Sequence, residues 1–319
     1  MIRVKPDRIR LLLTYACNTT CFYCHNEGQS VPERRLVDHI FVRNLLDMID
    51  IHKVVISGGE PTLHPEIVEI AREIGNRTDV KLKINTNGSK PDVIDHISDY
   101  LHAININIDS VDAESYGKIK RGLTLELAVE SLRLARTKGV ETIVDSPLTS
   151  IEDALKLLEF GEETGTKIKF LELLMPDFAK PNIALWELKR KLVSRGYRVG
   201  KKGEWIEELK KDGYPTSLIK CFCRVAVLQD DEEKAMNFCR DNTGLVISPA
   251  GRLKPCAYDD STAIDIYPAV MRRDETELSI KLDEFHETYG IGSCQEIIRN
   301  RGKEDTPAQP VVLRRRNKP

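Results

Sequence analysis

Six short apolar, β-branched runs between residues 9 and 174 alternate with stretches of helical periodicity, and this alternation limits the fold of the 319-residue chain more than any other feature. Strand-like segments are read at 9–15, 52–57, 81–86, 103–109, 140–145 and 167–174, with amphipathic stretches at 65–76, 91–101, 125–138 and 151–164 between them. Alternation of this kind builds a parallel sheet with helices outside it. In such barrels the chemistry gathers at the C-terminal ends of the strands.

The first run, Ile9 to Tyr15, leads straight into Cys17, Cys21 and Cys24, spaced C-x3-C-x2-C. Thiolates are the usual ligands of a [4Fe–4S] cluster, and three of them leave one iron open for a substrate or cofactor. A zinc site would show a second cysteine pair downstream, a disulfide framework suits a short secreted chain, and three plain buried thiols are the remaining alternative. The second run, Val54-Val55-Ile56, ends in Ser57-Gly58-Gly59-Glu60-Pro61. Glycines there let a ligand approach the backbone, and Glu60 is able to accept from an ammonium group; an ordinary turn is the plain reading.

Together the two motifs resemble those of the radical S-adenosylmethionine (SAM) enzymes. That resemblance implies an α/β fold, a partial (β/α)6 TIM-like barrel, in which Cys17, Cys21 and Cys24 hold a [4Fe–4S] cluster, the open iron chelates SAM, and the turn at Gly58, Gly59 and Glu60 holds the SAM amino group. Further strand-end segments, Thr86-Asn87-Gly88, Asn107-Ile108-Asp109-Ser110 and Glu172, resemble those that meet the ribose and carboxylate of SAM. Thr86, Asn107 and Ser110 are therefore cofactor candidates. Tyr23 resembles the aromatic residue whose backbone meets adenine. Each of these residue types is also common in turns and caps.

Composition agrees with a cytoplasmic enzyme. With 48 basic and 50 acidic residues, for a net charge of −2, no global field advertises nucleic acid or membrane. The stretch Met1 to Arg8 lacks the apolar core of a signal peptide, and no apolar run approaches membrane-spanning length. Eight cysteines then belong to a reducing compartment, where metal is the expected role.

Residues 176–215, interrupted by Pro176, Pro181 and Pro215, read as the connection to a second domain, giving a barrel with its connecting segment over 1–215 and a second domain with a tail over 216–319. Cys221, Cys223, Cys239, Cys256 and Cys294 fall in the second domain. Cys239 and Cys256 lie in the pattern C-x11-G-x4-C around Gly251, which resembles the SPASM and Twitch extensions that carry auxiliary iron–sulfur clusters. Too few cysteines follow for a full SPASM domain, so the resemblance implies a shortened Twitch-like domain with one auxiliary [4Fe–4S] cluster. Structural thiols around a hairpin at Pro249-Ala250-Gly251 are the alternative.

Over nearly the whole chain the nearest resemblance is to the GTP 3′,8-cyclase family of molybdenum cofactor biosynthesis, carried by Arg10 to Asn18, Cys24-His25-Asn26-Glu27-Gly28, the Gly-Gly-Glu turn, Phe238-Cys239 and Pro255-Cys256. The chain departs from that family where GTP is held. Asn242 stands at the middle auxiliary ligand position, Gly244 and Val246 replace an Arg-x-Arg pair, and Val55 and Ile143 replace an arginine and a lysine; Arg10 survives. Phosphate contacts rely on such charge-assisted bonds. The sequence therefore implies a radical SAM enzyme acting on a different small molecule, nucleoside- or sugar-like, with a ferredoxin or flavodoxin as reductant. A peptide-modifying maturase shares the auxiliary pattern, although 16 residues before Cys17 leave little room for a peptide-binding domain there. A zinc-stabilised or degenerate scaffold is the non-enzymatic alternative.

Overall fold

The computed structural model describes residues 2–3, 7–24, 33–173, 183, 185–221, 225, 233–234, 237–238, 244–254 and 263–288. Along them run β1 (Arg8–Leu12), α1 (His39–Met48), β2 (Lys53–Ser57), α2 (Ile67–Gly75), β3 (Lys81–Thr86), α3 (Pro91–Ser98), β4 (Ala103–Asn107), α4 (Ala113–Ile119) and α5 (Leu125–Thr137). There follow β5 (Glu141–Pro147), α6 (Ile151–Thr164), β6 (Lys167–Leu171), α7 (Leu185–Ser194), β7 (Arg198–Lys202), β8 (Ile206–Lys211) and β9 (Tyr214–Ile219). The last elements are β10 (Leu245–Ile247), β11 (Arg252–Lys254), β12 (Ile264–Asp265), α8 (Tyr267–Arg272) and α9 (Glu275–Thr288).

These strands form one 12-stranded sheet in the order β12-β11-β10-β1-β2-β3-β4-β5-β6-β9-β8-β7. The six strands read from sequence, β1 to β6, lie side by side and parallel. Two more parallel strands extend them: β9 against β6 and β10 against β1. Antiparallel partners finish both edges, so the sheet stays open. The division expected at 215/216 falls inside β9, whose Thr216 to Ile219 pair with Ile168 to Leu171. The described residues of the expected connection supply α7 and the β7–β8 pair at the sheet edge. Among the described residues no helix is long and apolar enough to cross a membrane.

Two faces with opposite chemistry follow from the period of two along each strand. Ile9 and Leu11, Val54 and Ile56, Leu82 and Ile84, Ile104 and Ile106, Val144, Ile168 and Phe170, and Leu218 all belong to the main core, packed with helix residues such as Phe41, Ile70, Ile94, Leu132 and Leu157. Each such side chain, once buried, contributes about 1.5–3 kcal/mol. Local signals fix the helices onto this face. Asp38 caps α1 through Phe41 N at 2.8 Å, Ser150 caps α6 through Asp153 N, and Gly165 ends α6 in the left-handed region at φ 66°.

The alternate residues lie on the helix-free face: Arg8 and Arg10, Lys53 and Val55, Lys83 and Asn85, Asn105 and Asn107, Ile143 and Asp145, Lys169, Ser217 and Val246. That face is the inside of a curve. Lys53 on β2 is affected electrostatically by Lys169 on β6, four strands away, whereas four strands of a flat sheet would span about 19 Å.

A candidate active site where the cysteine loop meets the strand ends

Beyond β1 the chain runs as an irregular loop that bears all three motif cysteines, and it is bound to the Gly-Gly-Glu turn by main-chain bonds. Leu13 N donates to Ser57 O (3.0 Å), Gly59 N to Thr14 O (2.8 Å) and Glu60 N to Ala16 O (2.8 Å). A Cβ on Gly59 would stand 2.2 Å from Ala16 O, and one on Gly58, at φ 141°, would stand 2.9 Å from Thr14 O. The glycines are thus required by the backbone of the cysteine loop itself.

Glu60 also has work inside the protein. Its carboxylate, 1% exposed, accepts from Thr62 N, Thr62 Oγ1 and Thr86 Oγ1 on one oxygen and from Asn87 N on the other. It joins the second strand end to the third. Thr86 Oγ1 in turn accepts from Gly88 N, and Asn87 Nδ2 donates to Asn18 Oδ1 while Asn18 Nδ2 reaches Ser89 Oγ, so the third strand end grips the cysteine loop too.

Tyr23 ties the far end of the loop to the fourth strand. Its hydroxyl lies 2.6 Å from Asp109 Oδ1 and 3.0 Å from Asn107 Oδ1, and Lys120 Nζ donates to it at 2.9 Å. Lys120 also bonds Asn107 Oδ1 and pairs with Asp109 Oδ2 at 3.1 Å. Burial alone would lower the lysine, but Asp109 and then Cys21 hold it above its ordinary range; burial and Asp109 push the Tyr23 hydroxyl far above its own. Nothing in the sequence pattern singled out Lys120. Ser110 is fully buried, accepts from Asp112 N and donates to Asp153 Oδ1, joining the start of α4 to the first turn of α6. Glu172 accepts from Cys221 N at 3.2 Å, placing this cysteine where β6 and β9 end. Cys223, Cys239, Cys256 and Cys294, with Asn242, lie outside the described residues.

Cys17 and Cys21 are free thiols. Partial desolvation pushes Cys17 up to about 11, against a backbone hydrogen bond at Thr19 and with Glu60 and the other two thiols adding to the rise. Iron would therefore have to displace a proton from it. Among the described residues no three His, Cys, Asp or Glu side chains converge as they would on a single metal ion. An iron–sulfur cluster asks for something different, one thiolate on each of three irons. Three cysteines on one braced loop, near enough to influence one another, fit that need.

Residues 11–161 match the Radical SAM superfamily model. Curated relatives named probable GTP 3′,8-cyclase include one from Metallosphaera sedula, 25% identical over 281 residues with 85% of this chain and 86% of the relative covered, and one from Methanococcus aeolicus, 25% identical with 88% and 95% covered. Among solved structures, Streptococcus suis SuiB bound to precursor peptide SuiA superposes with a TM-score of 0.62 at 16% identity, covering 82% of this chain and 62% of that one. The chain thus spans less than two thirds of SuiB's length. Native anSMEcpe with bound AdoMet gives 0.57 at 14% identity, with 89% and 84% covered. At these identities the structures establish a shared fold.

Proposed function

We propose, for a chain that carries a radical SAM domain and is an enzyme of that type, that Cys17, Cys21 and Cys24 hold a [4Fe–4S] cluster and that SAM lies at the strand ends beside Gly58, Gly59 and Glu60, Thr86, Asn107 and the Tyr23 segment. When bound and reduced by one electron, the cluster would supply reductive cleavage of SAM and, through the 5′-deoxyadenosyl radical, removal of hydrogen from a small metabolite, followed by oxidation, cyclisation or rearrangement. The chain's own residues hold and orient: Gly59 and Glu60 brace the cysteine loop, Tyr23 and Lys120 close its far end, and the curved sheet keeps water from the reacting groups. The observation that carries this reading is the bracing of a three-cysteine loop by the Gly-Gly-Glu turn at the C-terminal end of parallel strands. Anaerobic incubation with SAM and dithionite, scored for 5′-deoxyadenosine, tests it.

A Twitch-like auxiliary cluster at Cys239 and Cys256, with further ligands from Cys221 or Cys223 and Cys294, belongs to the same proposal. If it forms, a reconstituted variant lacking Cys17, Cys21 and Cys24 retains about four irons per chain; zero iron there would return these cysteines to a structural role. The reductant is a ferredoxin or flavodoxin, and the enzyme works in the cytoplasm.

A second reading, cyclisation of GTP, is favoured by the name that relatives aligned over most of the chain carry. Against it stand Val55, Ile143 and Val246, which lie on the helix-free face without charge. Loss of two charged phosphate contacts at about 1.5–3 kcal/mol each weakens binding by roughly two to four orders of magnitude. Formation of the 3′,8-cyclised product from GTP at a rate typical of such cyclases would establish this second reading.

A further inference from the structure

Helix-free strand residues of the parallel sheet make an inner surface that is polar well below the strand ends. Lys83, Asn85, Asp145 and Lys169 are half-buried there, and Asn105 and Ser217 are buried at 5% and 0% exposure. The register joins them. Asn85 pairs with Asn105, Asn107 with Asp145, Asp145 with Lys169, and Lys169 with Ser217. Asn105 Nδ2 donates to Asp145 Oδ2 at 2.5 Å. Beyond that bond, among the described residues, Asn85 Oδ1, Asn105 Oδ1, Asp145 Oδ1 and Ser217 Oγ are buried atoms without a hydrogen-bond partner.

The two lysines are also unsatisfied. Among the described residues neither Lys83 nor Lys169 closes an ion pair or hydrogen bond; Asp145 and Glu141 act on Lys83 only at a distance, while Lys169 and Lys53 repel it. Burial first, and then Lys169, push Lys83 down to about 8. Buried polar atoms are normally paired, and an unpaired one costs about 1–3 kcal/mol. Several together on one surface, with two cations facing across it, describe a place built for a ligand that brings the missing partners.

We propose that this inner surface, below the cysteine loop, recognises the substrate as a small hydroxylated anion, a sugar acid or sugar monophosphate, whose charged group sits between Lys83 and Lys169. The unpartnered acceptors Asn85 Oδ1, Asn105 Oδ1 and Asp145 Oδ1 take hydrogen bonds from its hydroxyl groups. Lys83, Lys169 and Lys53, opposed by Asp145 and Glu141, leave one positive charge in excess, which matches an anion of one or two charges and falls short of a triphosphate. This inference deepens the radical SAM reading and rests on it for calling the ligand a substrate.

The test is calorimetric titration of the reconstituted, SAM-loaded full chain with gluconate, ribose 5-phosphate and, as the neutral control, ribose. The expected result is that at least one anion binds tenfold or more tighter than ribose, that Lys83→Met and Lys169→Met each weaken that anion at least tenfold while melting at or above the wild type, and that Lys83→Arg retains it. Equal binding of the anions and ribose, or unchanged anion binding in both methionine variants, would overturn the proposal. Wild-type SAM cleavage without any added anion is scored separately: its absence would overturn the radical SAM reading, whereas the titration reads the inner surface itself.

Discussion

Lys120 and Asp109 form an ion pair at 3.1 Å with side chains only 3% and 0% exposed, and the same ammonium donates to the Tyr23 hydroxyl at 2.9 Å. One buried charge thus ties the fourth strand end to the loop that bears the cysteines. Removing a single member of such a pair leaves the other uncompensated, at a cost of about 3–5 kcal/mol. Lys120→Met is expected to lower the unfolding free energy by that order and to reduce iron retention after reconstitution, because Tyr23 loses its clamp. Denaturant unfolding with iron analysis checks both; wild-type stability and iron content would separate Tyr23 from the cysteine loop's geometry.

Gly59 and Gly117 make a matched pair for a second test. A Cβ on Gly59 meets Ala16 O at 2.2 Å, while one on Gly117 in α4 meets nothing within 4 Å. Gly59→Ala should displace the cysteine loop and abolish stable cluster assembly, whereas Gly117→Ala should be neutral or stabilise by about 0.5–1 kcal/mol through the lost helix penalty of glycine. Circular dichroism melts and the visible absorbance of the reconstituted proteins read the difference.

Lys83 gives a pH dependence of defined sign. Its folded value of about 8 lies below its ordinary 10.5, through burial and the neighbouring Lys169 and Lys53, with Asp145 and Glu141 opposing. Between these two values the unfolded chain binds more protons than the folded one, so stability rises with pH across that window; below about 8 the penalty is complete. Lys83→Met should therefore be more stable than the wild type at pH 7, by roughly 1–3 kcal/mol. The gap should shrink as pH climbs from 8 toward 10.5. Urea titrations at pH 7 and pH 9.5 measure it, and a constant gap would place the lysine in water.

The parallel sheet was legible because each βα unit carries its own period: Val54-Val55-Ile56 and the 65–76 stretch, for example, need no distant partner to be read. Both motifs were legible for the same reason, since their spacing is local. What the glycines do was not. Their necessity comes from Ala16 and Thr14, more than forty residues away, and no local pattern reports that contact. Lys120 was hidden likewise, a lysine in a charged stretch whose burial depends on Asp109 and Tyr23. The polar inner surface did leave a trace in Lys81-Leu82-Lys83-Ile84-Asn85 and Lys167-Ile168-Lys169-Phe170, where polar residues alternate with apolar ones in strands that a doubly covered sheet would make apolar on both faces. The boundary expected at 215/216 cuts β9 because Tyr214–Ile219 holds Pro215, which reads as an edge or linker; yet the strand lies beside β6 within the parallel sheet.

The account stands most directly on reductive SAM cleavage at the cysteine loop. Wild-type protein reconstituted with iron and sulfide under anaerobic conditions, given SAM and dithionite, should release 5′-deoxyadenosine and methionine, and Cys17→Ala, Cys21→Ala and Cys24→Ala should each reduce that release to background while the chain remains folded. Undiminished 5′-deoxyadenosine from the triple variant would contradict the assignment of these thiols and, with it, the function proposed for the chain.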